Sequence, residues 1–320
     1  MVLDQLDHEI RDEAMTASAI GVSSRRPRIS PLRYPGGKSA LYSRLRKTIR
    51  DMGLAGCTYV EPYAGGVGAG LSLLVTGQVE RVVINDLDRA IHAFWTTVQS
   101  EPRWLIERIQ RVRLDVSEWR RQREIYVAAD SSEVLQLGFA TFYLNRTNRS
   151  GVLNGGPIGG LEQTGNYKID ARFNRDGLAE RIRILSLYAE NIVPTSRDGI
   201  EIISEYAPKD GVFIYADPPY FEKAGSLYLN AFSATDHEDL ARVLNAVSDR
   251  PWVLTYDNVP RVAVLYAERR RRQFELHYSA HRVGKATEIA ILSESVPEIG
   301  QGWPLTPALD ALPHSVSDGA

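Results

Sequence analysis

The feature that most limits how this chain can fold is the join between Val212-Phe213-Ile214-Tyr215 and Asp217-Pro218-Pro219-Tyr220. An unbroken apolar run of that length, bounded by turn residues, reads as a strand buried on both faces. The prolines then end it, because neither has an N–H to give to a ladder and each fixes its own φ. A carboxylate, a free backbone carbonyl and an aromatic ring are left on a stiff turn at the strand's C-terminal end. In open α/β sheets, ligands collect at that edge.

The rest of the chain repeats the same rhythm. Thr58-Tyr59-Val60-Glu61 reads as a short strand that ends in the glycine cluster Gly65, Gly66, Gly68 and Gly70, with a helix through 71–74. Residues 81–85 form a second strand and 88–98 a helix, while 252–255 and 289–292 supply later strands. Over 236–247, Leu240, Val243, Leu244 and Val247 fall on one helical face. Strands alternating with helices predict an α/β fold with a mostly parallel sheet covered on both faces. Residues 99–197 interrupt this rhythm: they are arginine-rich and helix-prone, broken at 145–165 by six glycines and three asparagines. They read as an inserted, mainly helical domain, leaving 29–98 and 198–296 as one discontinuous unit between flexible tails at 1–28 and 297–320.

Composition excludes some classes. No apolar run approaches the roughly 20 residues of a membrane span, and residues 1–13, with five acids and no apolar stretch, are not a secretory signal. The single cysteine, Cys57, leaves no internal disulfide and no cysteine-rich metal site. The histidines have no metal-like spacing, so no metal is expected. Cytoplasm is the default compartment, and the sequence leaves the oligomeric state open. Net charge is −2, but residues 14–50 carry nine Lys or Arg and no acid. Such stripes suit a nucleic-acid cleft about as well as a solvated surface.

Two nucleotide-binding readings fail on spacing. Gly66, Gly68 and Gly70 are spaced by two, not as a dinucleotide fingerprint. Gly36-Gly37-Lys38-Ser39 ends like a phosphate loop, yet Leu32 stands where its first glycine must be. Asp86, at the end of the second strand, is placed to accept hydrogen bonds from ribose hydroxyls, whereas Asp88 reads as a helix cap. Lys38 can reach a ligand carboxylate or a base, though an isolated lysine is more often on the surface. The run 269–272, four arginines, reads as a solvated helix end sooner than as a phosphate grip. Asp217 and the Pro218 carbonyl together can accept both N–H bonds of an exocyclic amine, a poor nucleophile whose lone pair is delocalised into its ring. Drawing that nitrogen toward sp³ and aiming it is catalysis by positioning and charge placement. Tyr220 offers a ring to stack on the base.

Taken in order, Arg33-Tyr34-Pro35-Gly36-Gly37-Lys38, Glu61-Pro62-Tyr63-Ala64-Gly65-Gly66, Asp86, Tyr143-Leu144-Asn145-Arg146-Thr147 and Asp217-Pro218-Pro219-Tyr220 resemble the Dam-type family of DNA N6-adenine methyltransferases, the D12 class. Phe232-Ser233-Ala234-Thr235-Asp236-His237 and Ala286-Thr287-Glu288-Ile289 are similar to its later segments. The resemblance implies a Rossmann-like methyltransferase sheet and S-adenosyl-L-methionine as donor, with a target-recognition domain in the insertion. It implies that Tyr34, Gly36, Gly37, Lys38, Glu61, Pro62, Tyr63, Ala64, Gly65, Gly66 and Asp217 bind the cofactor, with the Gly-Gly-Lys segment and the glycine loop on its methionine part, that Asp86 binds its ribose, and that Asp198 lies near its adenine. Asn145, Arg146, Asn148 and Arg149 would face double-stranded DNA. Catalysis would fall to Asp217, Pro218 and Tyr220. Valine stands at 67 where the family pattern has a further glycine, and 147–153 depart from well-known bacterial members.

Two rivals follow from the same residues. Amine methylation of cytosine N4 or of RNA would more often place serine or asparagine at 217. A non-catalytic DNA-binding protein could keep the fold as a scaffold, using the arginine-rich insertion on phosphates.

Overall fold

The structure, a computed structural model, describes residues 29–33, 38–130, 132–221, 232–278 and 284–297. Tyr34, Gly36, Gly37 and both expected tails, apart from residue 297, lie outside the described residues. Among the described residues seven strands form one sheet: β1 (Cys57–Glu61), β2 (Val79–Asn85), β3 (Ile192–Thr195), β4 (Val212–Ala216), β5 (Trp252–Asp257), β6 (Arg270–Tyr278) and β7 (Gly284–Leu292). Their order is β3-β2-β1-β4-β5-β7-β6. Strands β1 to β5 run parallel, and β7 runs against both of its neighbours. The chain steps outward from β1 to β2 and β3, then returns to lay β4 on the other side of β1. That reversal makes the carboxyl ends of β1 and β4 the switch point, where such sheets bind ligands.

Helices cover both faces, as parallel pairing requires. Among the described residues they are, in chain order, α1 (Tyr42–Asp51), α2 (Gly68–Val75), α3 (Arg89–Ser100), α4 (Pro102–Arg111), α5 (Val116–Ala128), α6 (Val134–Thr147), α7 (Arg175–Ser186), α8 (Gly199–Tyr206), α9 (Ala234–Ala246) and α10 (Pro260–Leu265). Asp88 caps α3 by accepting from the Ala90 N–H at 2.8 Å, as its position predicts. Among the described residues no helix is long and apolar enough to cross a membrane.

Alternate residues of each strand enter different cores, the expected consequence of a period of two. Tyr59, Val82, Ile84, Phe213, Tyr215, Val253 and Ala290 join a core with α1, α3 and α6, whereas Val60, Val83, Ile214, Leu254, Ile289 and Ile291 join another with α8 and α9. Continuing the first alternation to the strand ends brings Glu61, Asp217, Thr255 and Glu288 to one face at the carboxyl edge.

The stretch 99–197 does not behave uniformly. Leu105, Ile109, Phe139 and Ile182 belong to the first core, so its helices pack against the sheet's own helices. Phe94 of α3 stacks on Phe142 of α6, with centroids 5.9 Å apart. Gly138 permits that approach, because a Cβ there would stand 2.3 Å from Thr97 Oγ1 and 2.6 Å from the Ala93 carbonyl. Residues 192–195, expected within the insertion, instead form β3 and extend the sheet beside β2.

The arginine run is also placed differently from the sequence expectation. Arg270, Arg271 and Arg272 lie on β6 and Arg269 immediately before it, not at a helix end. Their guanidiniums serve the fold: Arg270 donates to the Ser293 carbonyl at 2.8 Å, Arg271 to the Ala263 carbonyl at 2.7 Å, and Arg269 to Asn245 Oδ1 at 2.9 Å.

Candidate active site

The carboxyl edge is built from the strand ends inward. Asn85, fully buried at the end of β2, ties three strands together. Its amide donates to the Pro62 carbonyl at 2.8 Å and the Arg197 carbonyl at 2.9 Å, while Oδ1 accepts from Thr195 Oγ1 at 2.8 Å. The glycine loop hangs from this frame. The Asp86 carboxylate accepts the Gly65 N–H at 2.9 Å and the Asp88 N–H at 3.0 Å, and the Ala64 N–H donates to the Asn85 carbonyl at 2.9 Å. Ser30 Oγ donates to the Gly66 carbonyl at 2.6 Å. Val67, where the family pattern has glycine, sits at φ 46°, ψ 34°. A β-branched residue in that left-handed region is strained by roughly 1–2 kcal/mol.

Tyr63 packs over the start of α8, where a Cβ on Gly199 would meet its ring at 2.3 Å. Its hydroxyl is buried without a hydrogen-bond partner among the described residues. Asp198 is exposed and caps α8, accepting the Ile200 N–H at 2.7 Å.

At the centre, the Lys38 ammonium enters from the turn Lys38–Leu41 and lies 3.1 Å from Asp217 Oδ1 and 3.3 Å from Glu288 Oε2. It is buried, contrary to the surface position usual for an isolated lysine. Asp217 Oδ1 also accepts from Thr255 Oγ1 at 2.9 Å, and Thr255 Oγ1 lies 2.8 Å from the Tyr215 hydroxyl. The Tyr220 hydroxyl donates to Glu288 Oε1 at 2.6 Å and accepts from Lys38. The Tyr220 ring, tilted 46° to that of Tyr256 at 6.4 Å, is buried. Asp217 keeps 24% of its side-chain surface exposed, so the carboxylate stays reachable from the edge of the sheet.

Burial dominates the electrostatics of this edge. It raises the pKa of Asp217, against the opposing pull of Lys38 and the Thr255 hydrogen bond. Glu288 is raised by burial and by the Asp217 charge, again opposed by Lys38. Glu61 is pushed up to about 8 by burial; the Tyr59 hydroxyl, 2.9 Å away, counters it and Asp217 adds to it. Burial lifts Asp86 to about 6 despite its two backbone donors. Among the described residues no group of three His, Cys, Asp or Glu side chains is arranged to hold a metal ion.

The structure does not bring Asn145, Arg146 and Asn148 to a DNA-facing surface; all three are buried. Asn145 clasps the backbone of Arg33, accepting its N–H at 2.7 Å and donating to its carbonyl at 2.8 Å. Arg146 donates to the Pro31 carbonyl from Nε at 2.6 Å, and burial lowers its pKa to about 9. Asn148 accepts from Trp119 Nε1 at 2.7 Å and donates to the Val152 and Leu153 carbonyls at 2.9 Å. Asn145 and Arg146 thus hold the backbone at 31–33, whereas Asn148 braces the turn at 152–153. Arg149 alone of the four is exposed. Sequence reasoning assigned no role to Thr255, Glu288 or Asn85. Polar residues that interrupt buried strand ends were the available signal.

A mostly parallel sheet in this order, carrying its polar groups at the switch point, has the architecture of a Rossmann-like methyltransferase. The chain belongs to the D12 class N6 adenine-specific DNA methyltransferase family, whose match spans residues 34–285. It is therefore an enzyme that uses a methyl donor to modify adenine N6 in DNA. Among solved structures it is similar to a "putative RNA methyltransferase PH1948" from Pyrococcus horikoshii, with 11% identity over 88% of this chain and 96% of that chain at a TM-score of 0.34. A likeness that low carries no argument. No curated protein matches the chain.

Proposed function

We propose that the donor is S-adenosyl-L-methionine, that the target is an adenine turned out of double-stranded DNA, and that Asp217 is the residue on which transfer depends. The donor supplies a methyl group activated on a sulfonium. Asp217 and the Pro218 carbonyl accept the two N6–H bonds of the base and aim its lone pair. After attack the N6 proton passes to solvent, so no covalent enzyme intermediate is needed. Tyr220 provides the aromatic ring for the base, with its hydroxyl anchored in the Lys38–Glu288 pair.

The donor's methionine side would lie along Lys38, Glu61, Pro62, Tyr63, Ala64, Gly65 and Gly66, its ribose on Asp86 and its adenine toward Asp198, with Tyr34, Gly36 and Gly37 completing the approach. Two features support that fit: the buried Tyr63 hydroxyl has no partner among the described residues, and Asp86 presents a part-exposed carboxylate beside the glycine loop. The segment 99–197 would carry DNA recognition through its exposed side, where Arg149, Lys168 and Arg172 are accessible. The observation that carries the reading is the Asp217 carboxylate, held on one oxygen by Thr255 and Lys38 while still partly exposed.

The test is to incubate unmodified plasmid DNA with the protein and S-adenosyl-L-methionine, digest it to nucleosides and identify the methylated base. N6-methyladenine is expected, absent with Asp217→Ala. Full activity of D217A would refute the assignment.

A further inference from the structure

Glu288 stands on β7, outside the Asp-Pro-Pro-Tyr turn, and its carboxylate is 1% exposed. One oxygen takes the Tyr220 hydroxyl at 2.6 Å. Among the described residues the other, Oε2, has no hydrogen-bond partner and faces the charge of Lys38 at 3.3 Å. Leaving a carboxylate oxygen buried in that way is unfavourable, and an apolar residue of similar volume at such a place is often neutral or better for stability. The arrangement therefore calls for a reason other than packing.

The reason lies in how the ammonium is shared. Lys38 sits 3.1 Å from Asp217 and 3.3 Å from Glu288, so one positive charge is divided between two acids. With Glu288 neutral, more of the ammonium's charge would fall to Asp217. A carboxylate already matched by a full positive charge is a weaker acceptor for the N–H groups of an amine, because charge-assisted bonds draw their strength from unneutralised charge. We propose that Glu288 is a positioning residue of the methyl-transfer step: it draws Lys38 partly off Asp217, so that Asp217 keeps the negative charge with which it grips and polarises the target amine. The same carboxylate fixes Tyr220 through its hydroxyl, coupling ring and acid into one unit. This rests on the reading of Asp217 as the amine acceptor.

The experiment is single-turnover methyl transfer from S-adenosyl-L-methionine to unmodified plasmid DNA, with donor and DNA affinities measured separately. Glu288→Gln keeps the shape and removes the charge; it is expected to slow transfer about tenfold with both affinities within about twofold of wild type. Glu288→Asp, shorter but still charged, should lose less than E288Q. In a Lys38→Met background the E288Q effect should vanish, because no ammonium remains to be shared. A wild-type rate in E288Q overturns the proposal, as does a loss confined to the affinities or one that persists undiminished in K38M. If E288Q does not fold, as judged by its melting curve, the same cycle run with E288D decides the matter by whether its loss disappears in K38M. Asp217→Asn run alongside separates the two claims. Activity in D217N removes the underlying reading, whereas an inactive D217N beside a fully active E288Q removes only the role of Glu288.

Discussion

Two buried polar clusters in this protein use similar side chains to opposite ends. Around Asn145, Arg146 and Asn148, the polar atoms are committed chiefly to main-chain carbonyls and amides, which fixes residues 31–33 and the turn at 152–153 against the end of α6. Around Lys38, Asp217, Tyr220, Thr255 and Glu288, side chains bind one another, two acids share one ammonium, and one carboxylate stays partly exposed. Bonds from side chain to backbone complete a fold and leave nothing over. A network of titratable groups with raised acid pKa values at a sheet's switch point holds charge in reserve, which is what chemistry requires.

The comparison breaks most decisively at Asp217. Replacing it with Asn should cut methyl transfer on the order of a thousandfold while the melting temperature stays level or rises. A large fall in melting temperature with little change in rate would make the second cluster structural like the first. Arg146→Ala tests the other side. Removing a buried guanidinium that serves the Pro31 carbonyl should destabilise the fold by about 2–4 kcal/mol in a denaturant titration. The salt dependence of DNA binding should stay as it was; unchanged stability with weakened DNA binding would restore Arg146 to the interface.

Glu61 sharpens the contrast through pH. Its folded value lies near 8 against an ordinary 4.5, so over that interval the folded protein binds a proton that the unfolded chain has released. Stability from this group is therefore fully present below about 4.5 and is lost as pH rises toward 8. Glu61→Gln should melt several degrees above wild type at pH 8.5 and converge with it near pH 5. Parallel melting curves across that range would place the carboxyl in water. The smallest effect is expected at Arg149, the exposed member of its group. Arg149→Ala should move stability by less than about 0.5 kcal/mol, weaken DNA binding a few-fold and flatten its salt slope by about one. An unaltered slope would take Arg149 off the phosphates.

Much of the fold was legible because local chemistry announced it. Proline ended β4, Asp88 capped α3, and glycines marked the loop after β1, all effects that act within a few residues. Less legible were β3, a four-residue edge strand beside an arginine-rich segment, and β6, where a charge run suited a solvated helix end until pairing with β7 made it a strand. Asn145 and Arg146 were misplaced for a related reason. Polar residues at a helix C-terminus beside a glycine-rich loop look the same whether they face solvent or clasp a distant backbone.

The sequence by itself determined the chemistry available: an acid and a carbonyl on a proline-locked turn, a glycine loop and a second acid one strand away. These are short-range facts, set by residue type and by the allowed φ and ψ of neighbours. Only the tertiary structure decided which charges meet. Glu288 reaches Lys38 across 250 residues because β7 runs back against β5, and strand parity then turns its carboxylate to the same face as Asp217. No local rule encodes that meeting; it follows from the register of strands that pair only once the whole sheet has formed.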